Sequence, residues 1–192
     1  MAYIGMKYPV FAPLNEDGKT YDKGFVVGKA ISYTGTPSNN DVKLWADDEI
    51  AETDTSIQNE GVSLNVDDIA LKVYADILGH AYTPAVTDGE SPTPESVSIG
   101  LDDVAPFGGL GFYRRRKKNG VITYTALWLY KVQFAEPTTE GATKADTVAF
   151  QTGTIAGTAY HNSEGKLKDM ATFTTEADAK VWLETKANIT TA

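Results

Sequence analysis

Asn119-Gly120 joins two long segments of β-forming residues, and it constrains the fold more than any other feature of the chain. A two-residue type I′ turn needs positive φ at both central positions, which Asn and Gly adopt at little cost. With these two as the loop, Lys118 faces Val121, Arg116 faces Thr123, Arg115 faces Tyr124 and Gly111 faces Trp128. The outgoing segment alternates. Ile122, Tyr124, Ala126, Trp128, Tyr130, Val132 and Phe134 point one way, and Val121, Thr123, Thr125, Leu127, Leu129, Lys131 and Gln133 the other. Fourteen residues at about 3.3 Å each extend ~46 Å, against ~17–20 Å for a common strand. The expectation is a long hairpin whose tip projects from the core.

The rest of the chain agrees with a mostly β protein. Glycine and proline cluster at NEDGKT, TGTPSNND, TDGESPTPES and FGGLG, separating short segments rich in Val, Ile, Thr, Tyr and Phe. Strands are predicted over Gly24–Tyr33, Asp41–Trp45, Gly61–Val66, Glu95–Leu101, Leu110–Lys118, Val121–Phe134 and Asp146–Tyr160. Asp67–Leu78 carries apolar residues at helical spacing, acids at its start and Gly79 where a terminating glycine belongs. A second helix over 176–187 opens on Thr175 and Asp178 in capping spacing and is expected to bury Val181, Trp182 and Leu183. At 192 residues the prediction is one domain spanning 1–192, an α+β fold with an antiparallel sandwich or barrel-like sheet. Residues 83–96 form its variable surface loop.

Composition narrows the function. Cysteine is absent, which removes disulfides and thiolate chemistry. Acidic residues outnumber basic ones 26 to 17, for a net charge of −9. Such a surface repels DNA and anionic membranes within a Debye length of about 8 Å. No apolar run is long enough to span a bilayer, and MAYIGMKYPVFAPL lacks the pattern of a signal peptide, so a product made in the cytoplasm is expected.

Against that charge stand Arg114, Arg115, Arg116, Lys117 and Lys118, which include every arginine in the chain. On a strand they split between two faces, whereas a nucleic-acid reader gathers its charges on one. Arg115 beside Tyr124 is a candidate cation–π pair. Three readings are open: a solvated tip that resists edge pairing, a dock for an acidic patch on another copy, and a nucleic-acid contact. The acidic counterpart is WADDEIAETDTS, with Asp47, Asp48, Glu49, Glu52 and Asp54, read as a loop that lacks the order of a calcium site. His80 and His161 have no metal-ligand spacing. The adjacent pairs Asp67-Asp68 and Asp102-Asp103 make no shared carboxylate site, and FGGLG is not followed by Lys-Ser/Thr. No catalytic residues, cofactor or metal are expected.

WADDEIAETDTS (45–56), GVSLNVDDIALKVYADILGH (61–80), GFYRRRKKNGV (111–121) and YTALWLYKVQFAEP (124–137), in this order, resemble the major tail proteins of long flexible-tailed bacteriophages. The similarity continues through VAFQTGTIAGTAY (148–160) and ATFTTEADAKVWLETKA (171–187). The resemblance implies a virion protein of the phage tail: hexameric rings stacked into a tube, with a tape-measure protein and other tail proteins as partners. DNA would pass through without specific binding, and there would be no enzymatic activity. The basic tip and the acidic 45–56 stretch are the candidate inter-subunit contacts. Other readings are the tube of a contractile or bacteriocin particle, a monomeric carbohydrate-binding β-sandwich using Trp45, Trp128, Tyr33 or Tyr130, and a hydrolase with scattered carboxylates.

Overall fold

The computed structural model describes residues 3–87, 92–138 and 152–190. Its elements run β1 (Tyr3–Pro13), β2 (Phe25–Val26), β3 (Ala30–Asn39), β4 (Val42–Ala46), β5 (Glu49–Asp54), β6 (Ile57–Val66), α1 (Leu71–Leu78), β7 (Ala81–Thr83), β8 (Ser96–Ser98), β9 (Gly108–Lys118), β10 (Val121–Phe134), β11 (Gly153–Tyr160), β12 (Lys168–Phe173) and α2 (Glu176–Lys186). The main sheet is antiparallel, in the order β2-β1-β9-β10-β11-β6-β3, with β12 on β10 as well. Two ribbons, β4–β5 and β7–β8, stand apart from it. The fold is mostly β with two helices, as the sequence implies.

The β9–β10 register is the expected one, with Lys118 opposite Val121, Arg115 opposite Tyr124 and Gly111 opposite Trp128. Asn119 and Gly120 have φ of +50° and +81°. Two expectations need correction. Beyond Leu129, which pairs with Leu110, the next pairing is Val132 with Gly108, so β10 holds one extra residue in a bulge. The bulge reverses the alternation, and Val132 and Phe134 join Leu127 and Leu129 rather than Ala126 and Trp128. Nor does the hairpin project far. One edge of β10 is covered by β12 over Tyr124–Leu129 and by β11 over Lys131–Phe134, and β1 follows β9 out to Arg116. The strand is long because it has three neighbours.

The sheet has two buried faces. On the inner face Phe11, Leu110, Phe112, Leu127 and Leu129 meet Val62, Leu64, Val66, Ile155 and the α1 residues Ile77 and Leu78. Tyr33 of the edge strand β3 packs on Phe112 of β9 with ring centroids 4.5 Å apart, so the sheet curls over itself. On the outer face α2 sets Ala179, Leu183 and Ala187 against Val10, Ala12, Tyr113, Ala126 and Trp128. These three helix residues recur at i, i+4, i+8, which decides the buried row. Val181 lies off that row and is exposed, contrary to expectation. Thr175 Oγ1 accepts the Asp178 N–H at 3.1 Å, as the capping spacing predicts.

Several boundaries also move. The predicted strand 24–33 is broken, and α1 begins at Leu71 because Asp67 Oδ1 instead accepts the backbone N–H groups of Lys29 (2.7 Å) and Asp68 (2.9 Å). Of 95–101 only Ser96–Ser98 is strand. Residues 146–151 of the predicted strand and 88–91 of the variable loop lie outside the described residues. β1 escapes period-two reading because it carries Pro9 and Pro13, two register shifts, and positive φ at Gly5 and Tyr8.

Candidate functional site

The basic run does not act as one unit. Arg114 lies on the inner face with its guanidinium 4.1 Å from the centroid of the Tyr3 ring and its Nε buried without a hydrogen-bond partner. This, rather than Arg115 on Tyr124, is the cation–π contact found in the run. Arg115 points to the α2 side. There Tyr113 (2.6 Å) and Lys7 (3.0 Å) hydrogen-bond Glu176 and hold its carboxyl below the usual range, with Arg115 adding a weaker attraction. Arg116, Lys118, Asn119, Val121, Thr123 and Thr172 line an open recess of about 330 Å³ at the tip. Among the described residues no ion pair involves any member of 114–118. The exposed positive charge without an ion pair therefore includes Arg115, beside Glu176, as well as Lys117 and Lys118, with Arg116 half-buried at the recess.

The acidic stretch is a hairpin rather than the expected loop. Asp47 and Asp48 form its turn with φ of +51° and +63°, a conformation that short polar side chains tolerate. Asp-Asp is a weaker turn signal than Asn-Gly, which is why the sequence reads as a loop. Every residue of β4 and β5 is exposed, and so the ribbon displays Val42, Leu44, Trp45 and Ile50 along with its acids. Asp54 accepts the Ser56 N–H at 2.9 Å, which keeps its carboxyl low, while Asp47, Asp48, Glu49 and Glu52 form no ion pair among the described residues. β6 and β10 are both antiparallel to β11, so they run in the same sense. The arm rooted at Asn39 and Ile57 therefore leaves toward the end that holds the basic tip. Within one subunit no ion pair joins the basic run to the acidic run among the described residues.

The other end of the hairpin holds a cluster that the sequence does not reveal. His80, whose side chain is 5% exposed, places Nδ1 2.8 Å from Asp103 Oδ2 and Nε2 3.0 Å from Glu136 Oε2. Carboxylates accept at both nitrogens, so the geometry calls for an imidazolium. Burial opposes the charge, but the hydrogen bonds His80 donates to Asp103 and Glu136, with their negative charges, outweigh it and the pKa rises. Tyr74 of α1 donates to Glu136, and Asp103 Oδ2 also accepts the Gly100 N–H at 2.8 Å. Gly79, at φ +77°, passes so near the 99–107 loop that a Cβ would lie 2.3 Å from the Val104 carbonyl oxygen. Gln133 Nε2 adds a bond to Ala105 O at 2.8 Å. The loop is thus pinned from three sides, yet Ile99, Leu101 and Val104 face solvent, Leu101 completely.

No family model matches the chain. No curated protein matches it either. Among the described residues no group of three or more His, Asp or Glu is arranged to hold a metal ion, and no helix is long and apolar enough to cross a membrane. Of the aromatic residues that a carbohydrate platform would use, Trp128 is wholly buried. Tyr130 donates to Asp169 and accepts from Lys186 at 3.1 Å, while Tyr33 donates to Glu60 at 3.1 Å. Trp45 alone of the four stands exposed. Glu60, 2% exposed, also meets Lys168 Nζ at 2.5 Å and so links β3, β6 and β12 inside the fold.

Proposed function

We propose that the chain is a structural subunit that assembles with copies of itself, as a ring and then a hollow tube of the phage-tail kind that its sequence resembles. The observation that carries this reading is the β4–β5 arm. A two-stranded ribbon is marginal by itself in water, and this one exposes Val42 (62%), Leu44 (57%), Trp45 (62%) and Ile50 (48%). A surface of that kind is stabilised by burial against a partner. The charge pattern favours a second copy, because a chain of net charge −9 with one dense cationic site offers a matching contact to itself. An acidic wall also suits a conduit, since it keeps a passing polyanion from adhering.

The test is negative-stain electron microscopy of the purified full chain over a concentration series, with light scattering alongside. Rings or tubes with a central hole are expected. A strict monomer at the highest soluble concentration refutes the reading. Its runner-up, a monomeric binding module resting on Trp45, would then gain support.

A further inference from the structure

The two ends of the β9–β10 hairpin are opposite in charge and alike in having an apolar centre. At one end Val121, 63% exposed, shares a recess with Arg116 and Lys118, while Lys117 extends from the other face of the same tip. At the other, Ile99, Leu101 and Val104 are exposed on a loop that itself carries Asp102 and Asp103; Asp103 and Glu136 enclose His80, Asp76 is tied to Lys72 at 2.7 Å, Glu95 accepts from Tyr82, and Lys131 is the nearby cation, 4.3 Å over the Phe107 ring. The eleven residues of β9 put about 36 Å between the ends, at ~3.3 Å per residue.

From this we infer that successive copies dock head to tail, the basic tip of one subunit on the 99–104 loop of the next. The inference rests on the self-assembly reading and assigns its stacking contact. Both acidic surfaces carry apolar residues, so charge alone does not choose between them. Direction does. The β4–β5 arm leaves from the same end as the tip, so a copy displaced along the strands presents the 99–104 loop to it. Such a contact joins two different surfaces, is heterologous, and extends as a filament without closing. Opposite charge supplies register, and Leu101 and Val121 supply the apolar contact that surface ion pairs alone lack. The loop is ready for this use because His80, Gly79 and Gln133 hold its shape in the free subunit.

The test compares four full-length proteins: wild type, Lys117→Glu with Lys118→Glu, Asp102→Lys with Glu95→Lys, and all four substitutions together. Leu101→Ser is a fifth variant, at a fully exposed position where no buried packing is removed. Like charges placed face to face should raise the concentration needed for tubes roughly tenfold or more in each double variant, and the quadruple variant should recover most of the loss. Leu101→Ser should weaken assembly with no change in the salt dependence. Unchanged melting of every variant confirms that the subunits are folded. If wild type forms tubes and the charge variants form them equally well, the docking assignment is wrong while the tube reading stands. If wild type forms neither tubes nor rings, the tube reading itself fails.

Discussion

Gly111→Ala tests how α2 is seated on the hairpin, because the added methyl would have nowhere to go. Its Cβ would lie 2.5 Å from Trp128 Cε3 and 2.7 Å from Leu183 Cδ2, against roughly 3.5–4.0 Å for carbon atoms at rest. The overlap is about 1 Å on two sides, and both neighbours are fully buried. Overpacking of this kind costs about 1–3 kcal/mol, and alanine returns about 0.4–1 kcal/mol by restricting the unfolded chain. The net destabilisation is about 1–2 kcal/mol, or roughly 2–8 °C in Tm for a chain of this size. Urea unfolding followed by tryptophan fluorescence measures it. Trp128→Phe in the same chain removes one of the two colliding groups, so the double variant should be more stable than the sum of the single changes by about 0.5 kcal/mol or more. A Gly111→Ala protein within about 0.5 kcal/mol of wild type, with additive behaviour in the double variant, refutes this packing account.

Two further outcomes follow from the polar clusters. His80 has a raised folded-state pKa, so its contribution is complete below the ordinary histidine value and is lost as pH climbs through the folded value. Urea midpoints should fall across that window in wild type but not in His80→Gln; parallel profiles would show that the His80 ion pairs contribute nothing to stability. Lys168→Met leaves the Glu60 carboxylate buried without its cation and should cost about 3 kcal/mol in thermal or urea unfolding. Adding Glu60→Gln should restore most of that loss; an additive double variant would show that the pair is not coupled.

The His80–Asp103–Glu136 cluster and the Glu60–Lys168 pair are not legible in the sequence, for the same reason. His80, Asp103 and Glu136 are 23 and 56 residues apart from His80 along the chain, and Glu60 and Lys168 are separated by 108. No local period connects such residues. The arm was half legible. Its acids and its exposure could be read, but its hairpin could not, since Asp47-Asp48 adopts positive φ without a glycine to announce it. α2 shows the same division. Its cap was legible in Thr175 and Asp178, whereas the side facing the sheet follows the small residues Ala179 and Ala187 rather than the conspicuous Val181.

By itself the sequence determined what local chemistry controls: the Asn119-Gly120 turn and hence the register beside it, the Thr175 cap, the Gly79 stop and the division of the basic run between two faces. Each depends on backbone energetics within a few residues. Only the tertiary structure decided where the alternation of β10 reverses: the bulge against β9 falls where the other edge of β10 passes from β12 to β11. It alone decided that Arg114 turns inward to Tyr3 while Arg116, Lys117 and Lys118 remain at the tip. It also placed the 99–104 loop at the far end of the hairpin. Those outcomes depend on which distant segments pack together, and that is settled by burial across the whole sheet.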